Sequence, residues 1–252
     1  MDHPLFFTIS LPFLGTAIGA ALVFFLRGNL HQRLEQYLSG FAAGVMTAAS
    51  VWSLLIPALE RSEHLGKWAF LPAVAGIWCG VLFLRLLDKL IPWLHRGGEI
   101  GSRQRLMVLA VTLHNLPEGM AVGAAAAAFL AGEGIPFAAV LTLSLGIAIQ
   151  DLPEGAIISL PLRSGGMGKG RAFLYGTASG FVEPVGAIGT ILLAHLAVPI
   201  LPFLLSFSAG AMVYVVVQEL IPDMHSSHAP NSATLFFTAG FTLMMLLDLV
   251  LG

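Results

Sequence analysis

The stretch VTLHNLPEG, residues 111–119, decides the fold, because it sets a histidine, an asparagine, a proline and a glutamate inside a long apolar run. Thirty-six residues later IAIQDLPEG (147–155) repeats the pattern, with Gln150 and Asp151 where the first copy has His114 and Asn115. Of the 252 residues, 57% are hydrophobic and 10% charged, against about 25% charged in a soluble domain. Apolar runs of roughly 20 residues, enough to cross a ~30 Å hydrocarbon core, recur eight times. They fall at about 5–27, 37–59, 68–94, 104–130, 136–161, 171–197, 200–222 and 232–251. The expected fold is an all-α polytopic membrane protein, since helices satisfy their own backbone groups in lipid. Residues 1–252 then form a single transmembrane domain, with helices one to three over about 5–94, four and five over about 104–161, and six to eight over about 171–251.

Asp2 and His3 precede the first apolar run in place of a basic region, so a cleaved signal peptide is not expected. Cys79 stands alone, which rules out an internal disulfide. A net charge of −2 argues against a nucleic-acid partner. Arg27, Arg33, Arg85, Lys89, Arg96, Arg103, Arg105, Arg163, Lys169 and Arg171 flank the first, third and fifth connections, and only Arg61 and Lys67 flank the second. Basic residues favour the cytoplasmic side, so both termini are expected outside the cytoplasm, in a multi-pass protein of the cell (inner) membrane.

The first three runs resemble the last three. Ala17-Ile18-Gly19 is matched by Ala187-Ile188-Gly189, FAAGVM (41–46) with LIP (55–57) by FSAGAM (207–212) with LIP (220–222), and LLD (86–88) by LLD (246–248). The topology above sets these triplets of helices in opposite directions, giving an inverted 3+2+3 repeat. Inverted repeats are a common plan of transporters, with the site near the midplane between them. Small residues also recur in any helical bundle because they allow close packing, but packing alone leaves the matched LIP and LLD triplets unexplained.

On a helix, His114 and Asn115 both neighbour Glu118, at i,i+4 and i,i+3, and Gln150 and Asp151 neighbour Glu154 in the same way. Two such helices face to face make two pockets bridged by the two glutamates. Pro117 and Pro153 remove backbone donors and push away the carbonyls of Leu113 and Ile149, groups that need partners in lipid. Gly119 and Gly155 leave room for another helix or an ion. A third run adds Glu183 in GFVEPVG (180–186). Glu118, Asp151, Glu154 and Glu183 thus place four carboxylates mid-membrane with no lysine or arginine beside them. Each uncompensated charge there costs at least ~2.5 kcal/mol, so cations or protons are required, and two divalent ions balance the four. Imidazole, carboxylate and amide oxygen together suit zinc, iron, manganese or cadmium, whereas copper(I) calls for sulfur. The competing structural reading makes these carboxylates internal glue held by hydroxyls or protons.

The motifs HNLPEG (114–119) and QDLPEG (150–155), on the fourth and fifth of eight helices, resemble the ZIP (Zrt/Irt-like) family of divalent-metal transporters, and most its prokaryotic GufA-like branch. The resemblance covers nearly the whole chain. It implies transport into the cytoplasm, zinc foremost, with iron, manganese and cadmium also accepted, and no prosthetic group. It implies a binuclear site: one metal held by His114, Glu118, Gln150 and Glu154, the other by Asn115, Glu118, Asp151, Glu154 and Glu183. The implied partners are the metal ions, the lipid bilayer and a second copy in a homodimer. A histidine-rich loop between helices three and four, found in many relatives, is nearly absent, since HRGGEIGSRQ (95–104) has one histidine.

Two other functions compete. An intramembrane metal-dependent hydrolase holds zinc with several histidines and an open position, but only His114 lies mid-membrane and HExxH is absent. A carrier of organic solutes needs aromatic or basic groups around the carboxylates, and the motifs have none. For Asp88, Gln218, Glu219 and Asp248, near helix ends, the resemblance implies a cytoplasmic exit route, with hydrated helix ends, or for Asp88 a pairing with Arg85 or Lys89, as the plain alternative. His225 and His228 with Asp223, and Glu60, Glu63 and His64 at the other end, read as solvated polar groups that also suit cation capture. His195 is expected at an interface, and Met46 and Met212 in core packing.

Overall fold

A computed structural model describes residues 3–25, 32–94, 102–224 and 230–251. Some side chains within the helices, those of His114 and His195 among them, also fall outside the described set, as do the loop 95–101 and both His225 and His228. Every regular element among the described residues is helical. In chain order they are α1 (His3–Phe25), α2 (Gln32–Ala49), α3 (Ile56–Arg61), α4 (Phe70–Leu94), α5 (Ser102–Leu130), α6 (Phe137–Ser164), α7 (Lys169–Gly180), α8 (Val182–Leu192), α9 (Ala194–Ala197), α10 (Leu201–Val215), α11 (Ile221–Met224) and α12 (Pro230–Leu251). A π-helical stretch, Ser50–Leu55, fuses α2 to α3, and another, Val216–Leu220, fuses α10 to α11.

Among the described residues, six stretches are long and apolar enough to cross a membrane: Pro4–Phe25, Gln36–Arg61, Phe70–Leu90, Phe137–Ser164, Leu201–Met224 and Ser232–Val250. The chain is a helical, multi-pass membrane protein. The fourth expected span coincides with α5. The sixth is divided at Phe181 into α7 and α8, of 12 and 11 residues, each too short to cross alone. The division falls just before Glu183-Pro184, where proline lacks the donor to continue the preceding turn. In contrast, α5 and α6 run without interruption through Pro117 and Pro153.

The main packing partners are α1 with α6, α2 with α12, α4 with α10, and α5 with α8. Lipid tails are as apolar as leucine, so helices associate in membranes by close fit at small residues. Gly15 and Gly19 of α1 lie on the carbonyls of Ala148 and Leu152, and Gly155 of α6 lies on that of Thr16. Gly44 meets Phe237 and Gly240 meets Phe41 between α2 and α12; Gly80 meets Phe207 and Gly210 meets Ile77 between α4 and α10. A Cβ at any of these positions would overlap the facing backbone. The outer surface carries large apolar side chains such as Phe25, Trp78, Leu192 and Val250, while Met46, Leu143, Ile147 and Met212 fill the interior. The two methionines pack in the core as expected.

Candidate metal centre

Three helices meet at the polar motifs. On α5, Asn115 and Glu118 point inward; on α6, Gln150, Asp151 and Glu154; and Glu183 enters from the first turn of α8. All six are buried. His114 occupies its expected place on the α5 backbone, and its side chain lies outside the described residues. One carboxylate oxygen from each of Glu118, Asp151 and Glu154 lies within 4.8 Å of the others. The carboxylates of Glu118 on α5 and of Asp151 and Glu154 on α6 therefore converge across two helices.

Glycine sets the position of the third helix. Gly119 lies against the backbone of Glu183, and Gly123 against that of Ala187, so α8 seats directly on α5. The room left at Gly119 and Gly155 is taken by helices: α8 in the first case and α1 in the second. Glu183 Oε1 then accepts from Asn115 Nδ2 at 2.8 Å and from the Thr16 hydroxyl at 3.1 Å. The Asn115 amide also donates to the Ser179 carbonyl at 3.3 Å. Gln150 Nε2 donates to Glu118 Oε1 at 2.7 Å. The Ser208 hydroxyl of α10 donates to the Pro117 carbonyl at 2.8 Å, tying the motif to the neighbouring bundle.

These bonds occupy both amide nitrogens and leave acceptors. Asn115 Oδ1, Glu118 Oε2, Gln150 Oε1, both Asp151 carboxylate oxygens and Glu183 Oε2 are buried without a hydrogen-bond partner. Buried polar atoms are nearly always paired, and an unpaired one costs about 1–3 kcal/mol. All six orphans are oxygens, acceptors that a cation or a hydrogen-bond donor would satisfy. No lysine or arginine among the described residues pairs with any of the four carboxylates, and the charges acting on Glu118 and Asp151 are other carboxylates. A hard or borderline dication fits such an oxygen set.

Two cavities lead toward this cluster from opposite ends. At one end a cavity of about 450 Å³ is lined by Trp52, Ser53, Glu60, Arg61, Thr142 and Asp248 among others. At the other, a space of about 70 Å³ is bounded by Glu154, Glu219 and Asp223 with apolar neighbours. Leu205 lines the first and Glu219 the second, roughly 21 Å apart at 1.5 Å per helical residue.

This arrangement corrects one expectation. Asp248 does not lie with Asp88 and Glu219: it lines the large cavity, accepting from Ser53 at 2.7 Å, while Gln218 is exposed and lines neither cavity. Asp88 accepts from Tyr214 at 2.6 Å and lies close enough to Glu219 to act on it electrostatically. Their helices, α12 and α4, reach opposite ends of the bundle, which parts two residues of similar sequence context. Of the group at the large cavity, Glu60 lines it, while Glu63 and His64 are exposed beside it and His64 Nδ1 sits 3.0 Å from the Arg61 carbonyl. Thr16, Ser179 and Ser208 were not foreseen as partners of the site. The flanking Gly15 and Gly19 are the only local sign that Thr16 lies at a close crossing.

Comparison with known proteins agrees with this geometry. The ZIP Zinc transporter family pattern matches residues 95–248. Zinc transporter GufA of Myxococcus xanthus is 38% identical over 94% of this chain and 96% of its own length. Zinc transporter ZIPB of Bordetella bronchiseptica is 39% identical over 95% of this chain and 79% of its own. Zinc transporter ZIP11 of Xenopus tropicalis is 36% identical over 94% of each. The chain belongs to the ZIP family, in its prokaryotic GufA-like branch.

Proposed function

We propose that this protein carries divalent transition metals, zinc foremost and iron, manganese or cadmium as alternates, across the cell membrane into the cytoplasm through a binuclear site. The observation that carries this reading is the set of six buried, unpartnered oxygens around carboxylates held within 4.8 Å of one another. In this reading His114, Glu118, Gln150 and Glu154 hold one ion, and Asn115, Glu118, Asp151, Glu154 and Glu183 hold the other. Glu118 and Glu154 bridge. ZIP relatives are transporters by name, so this chain is read as no enzyme, and the hydrolase alternative is set aside.

The reading includes eight membrane crossings in an inverted 3+2+3 repeat, with both termini outside the cytoplasm. It is supported by where the backbone widens. The π-helical stretches Ser50–Leu55 and Val216–Leu220 each follow the F-x-A-G-x-M pattern and end at the leucine of LIP. Met46 and Leu55 are separated by one residue more than Met212 and Leu220. The first π stretch is correspondingly one residue longer, six against five. π turns cluster at functional sites, and these two lie at opposite ends of the proposed route. The pairings α2 with α12 and α4 with α10 are also those an exchange of the two halves would interchange.

The deciding experiment is anomalous scattering at the zinc edge from crystals of the protein soaked in zinc. Two peaks are expected between α5, α6 and α8, one nearer His114 and Gln150 and one nearer Asn115, Asp151 and Glu183. No peak there, in crystals whose helices are otherwise ordered, overturns the assignment.

A further inference from the structure

Between the large cavity and the metal centre the structure holds a methionine seated on a glycine. Thr142, Gly146 and Gln150 are successive turns of one stripe of α6, since residues four apart share a helix face. Thr142 lines the large cavity and Gln150 belongs to the metal cluster, so Gly146 is the step between them. Facing that stripe, Asp248 and Met244 are likewise one turn apart on α12, with Asp248 in the cavity and Met244 one turn deeper. A Cβ at position 146 would overlap the Cε and Sδ atoms of Met244, so the thioether lies directly on the glycine Cα. Met244 is fully buried. Above this contact Thr142 Oγ1 and Asp248 Oδ2 are buried without partners; below it Gln150 Oε1 is in the same state. The thioether therefore separates two sets of oxygens of the kind a cation would use.

We propose that Met244 is the movable closure between the large cavity and the metal centre, with Gly146 as the recess into which it shuts; the proposal rests on the metal-transport reading above. An unbranched side chain with three rotatable bonds and a polarisable sulfur repacks at little cost. The glycine supplies the rest: with the thioether turned away, the space of one missing side chain opens along the Thr142–Gln150 stripe. A larger residue at 146 would hold the methionine off its seat, and a stiffer residue at 244 would slow its movement.

The test uses the full chain in proteoliposomes, with Cys79→Ala removing the native thiol and Ile147→Cys placing one beside the closure, at the residue after Gly146, which is buried in the structure. A membrane-impermeant methanethiosulfonate reagent then reports access to residue 147. Met244→Ala is expected to raise the modification rate about tenfold or more, the scale set by losing one buried apolar side chain. Gly146→Ala is expected to raise it in the same direction by displacing the thioether, while Met244→Leu, of similar volume but stiffer, is expected to leave it at or below the parent's rate. Leu84→Ala, a comparable deletion in the core of α4, controls for general loosening and leaves the rate unchanged. Equal rates in Met244→Ala and its parent overturn the proposal, and so does an equal acceleration by Leu84→Ala. A parallel measurement follows escape of preloaded zinc to an external chelator, which Met244→Ala is expected to speed. If the unsubstituted protein holds no zinc, the metal reading falls, and the thiol experiment still decides whether Met244 closes the path.

Discussion

Replacing Glu118 by glutamine keeps the side chain's shape and removes one charge from the centre of the cluster. In the structure Glu118 Oε1 accepts from Gln150, while Oε2 is buried and unpartnered. Glutamine keeps the first contact through its carbonyl and turns an N–H, in place of an acceptor, toward whatever sits among Asp151 and Glu154. Any two of the three carboxylate oxygens lie within 4.8 Å. At an effective dielectric of about 20, unit charges at that separation repel by roughly 3.5 kcal/mol or more, so the trio in its ionised form calls for a counter-charge. Removing one partner from a buried charge pair costs about 3–5 kcal/mol, and each 1.4 kcal/mol is about a factor of ten in affinity. Zinc should therefore bind roughly 10² to 4 × 10³ times more weakly. Because Glu118 is assigned to both ions, both should be lost at zinc concentrations that saturate the parent protein. Glu183→Gln touches one ligand set only and should lose one ion while the other keeps its affinity. Equilibrium dialysis with metal counted by mass spectrometry reads stoichiometry and affinity together, with thermal unfolding as the check on folding. If Glu118→Gln retains one ion at parental affinity, the bridging role is refuted; if it retains two, the ligand assignment is refuted altogether.

Three further predictions follow from the same geometry. Metal can bind these carboxylates only as they give up protons, so zinc affinity should fall as pH is lowered from about 7 to about 5, and equal affinity at both would count against a carboxylate site. Gly119→Ala puts a methyl into the Glu183 backbone; it should destabilise the fold by about 1–3 kcal/mol as overpacking does and loosen the Asn115–Glu183 contact. Gly168→Ala, which meets no neighbour within 4 Å, should leave the melting temperature unchanged; equal melting of the two variants would refute the seating of α8 on α5. Asp248→Asn keeps an acceptor for Ser53 but removes a charge from the large cavity. It should raise the half-saturating zinc concentration for uptake in low salt, with the difference shrinking as ionic strength approaches 0.1 M, where the Debye length is about 10 Å; no difference in low salt would remove Asp248 from the route.

What the sequence made legible, and what it did not, divides along the range of the interactions involved. Helicity, six of the eight membrane-length runs and the approach of Asp151 to Glu154 depend on neighbours within two turns or on the run itself, and they are present in the structure, whereas Asn115 and Gln150 bond across helices, to Glu183 and Glu118. The approach of Thr16 to Glu183 and of Ser208 to Pro117 joins residues 167 and 91 positions apart; Gly15 and Gly19 mark a close crossing at Thr16, but no local pattern names the partner of either hydroxyl. The division of the sixth run at Phe181 sits between these cases: the proline was visible, but why Pro184 coincides with a break while Pro117 and Pro153 do not depends on what packs around each helix. Asp248 shows a different kind of gap. LLD at 86–88 and LLD at 246–248 are alike, and the family resemblance implies one exit route for both aspartates; yet opposed directions of those helices require equivalent positions to fall at opposite ends. Tyr214 beside Asp88 and Ser53 beside Asp248 are what that reasoning leads to when carried through. Each end then has its own carboxylate, held by a hydroxyl from the helix whose backbone widens next to it, and the two are separated by the candidate metal centre they would serve in turn.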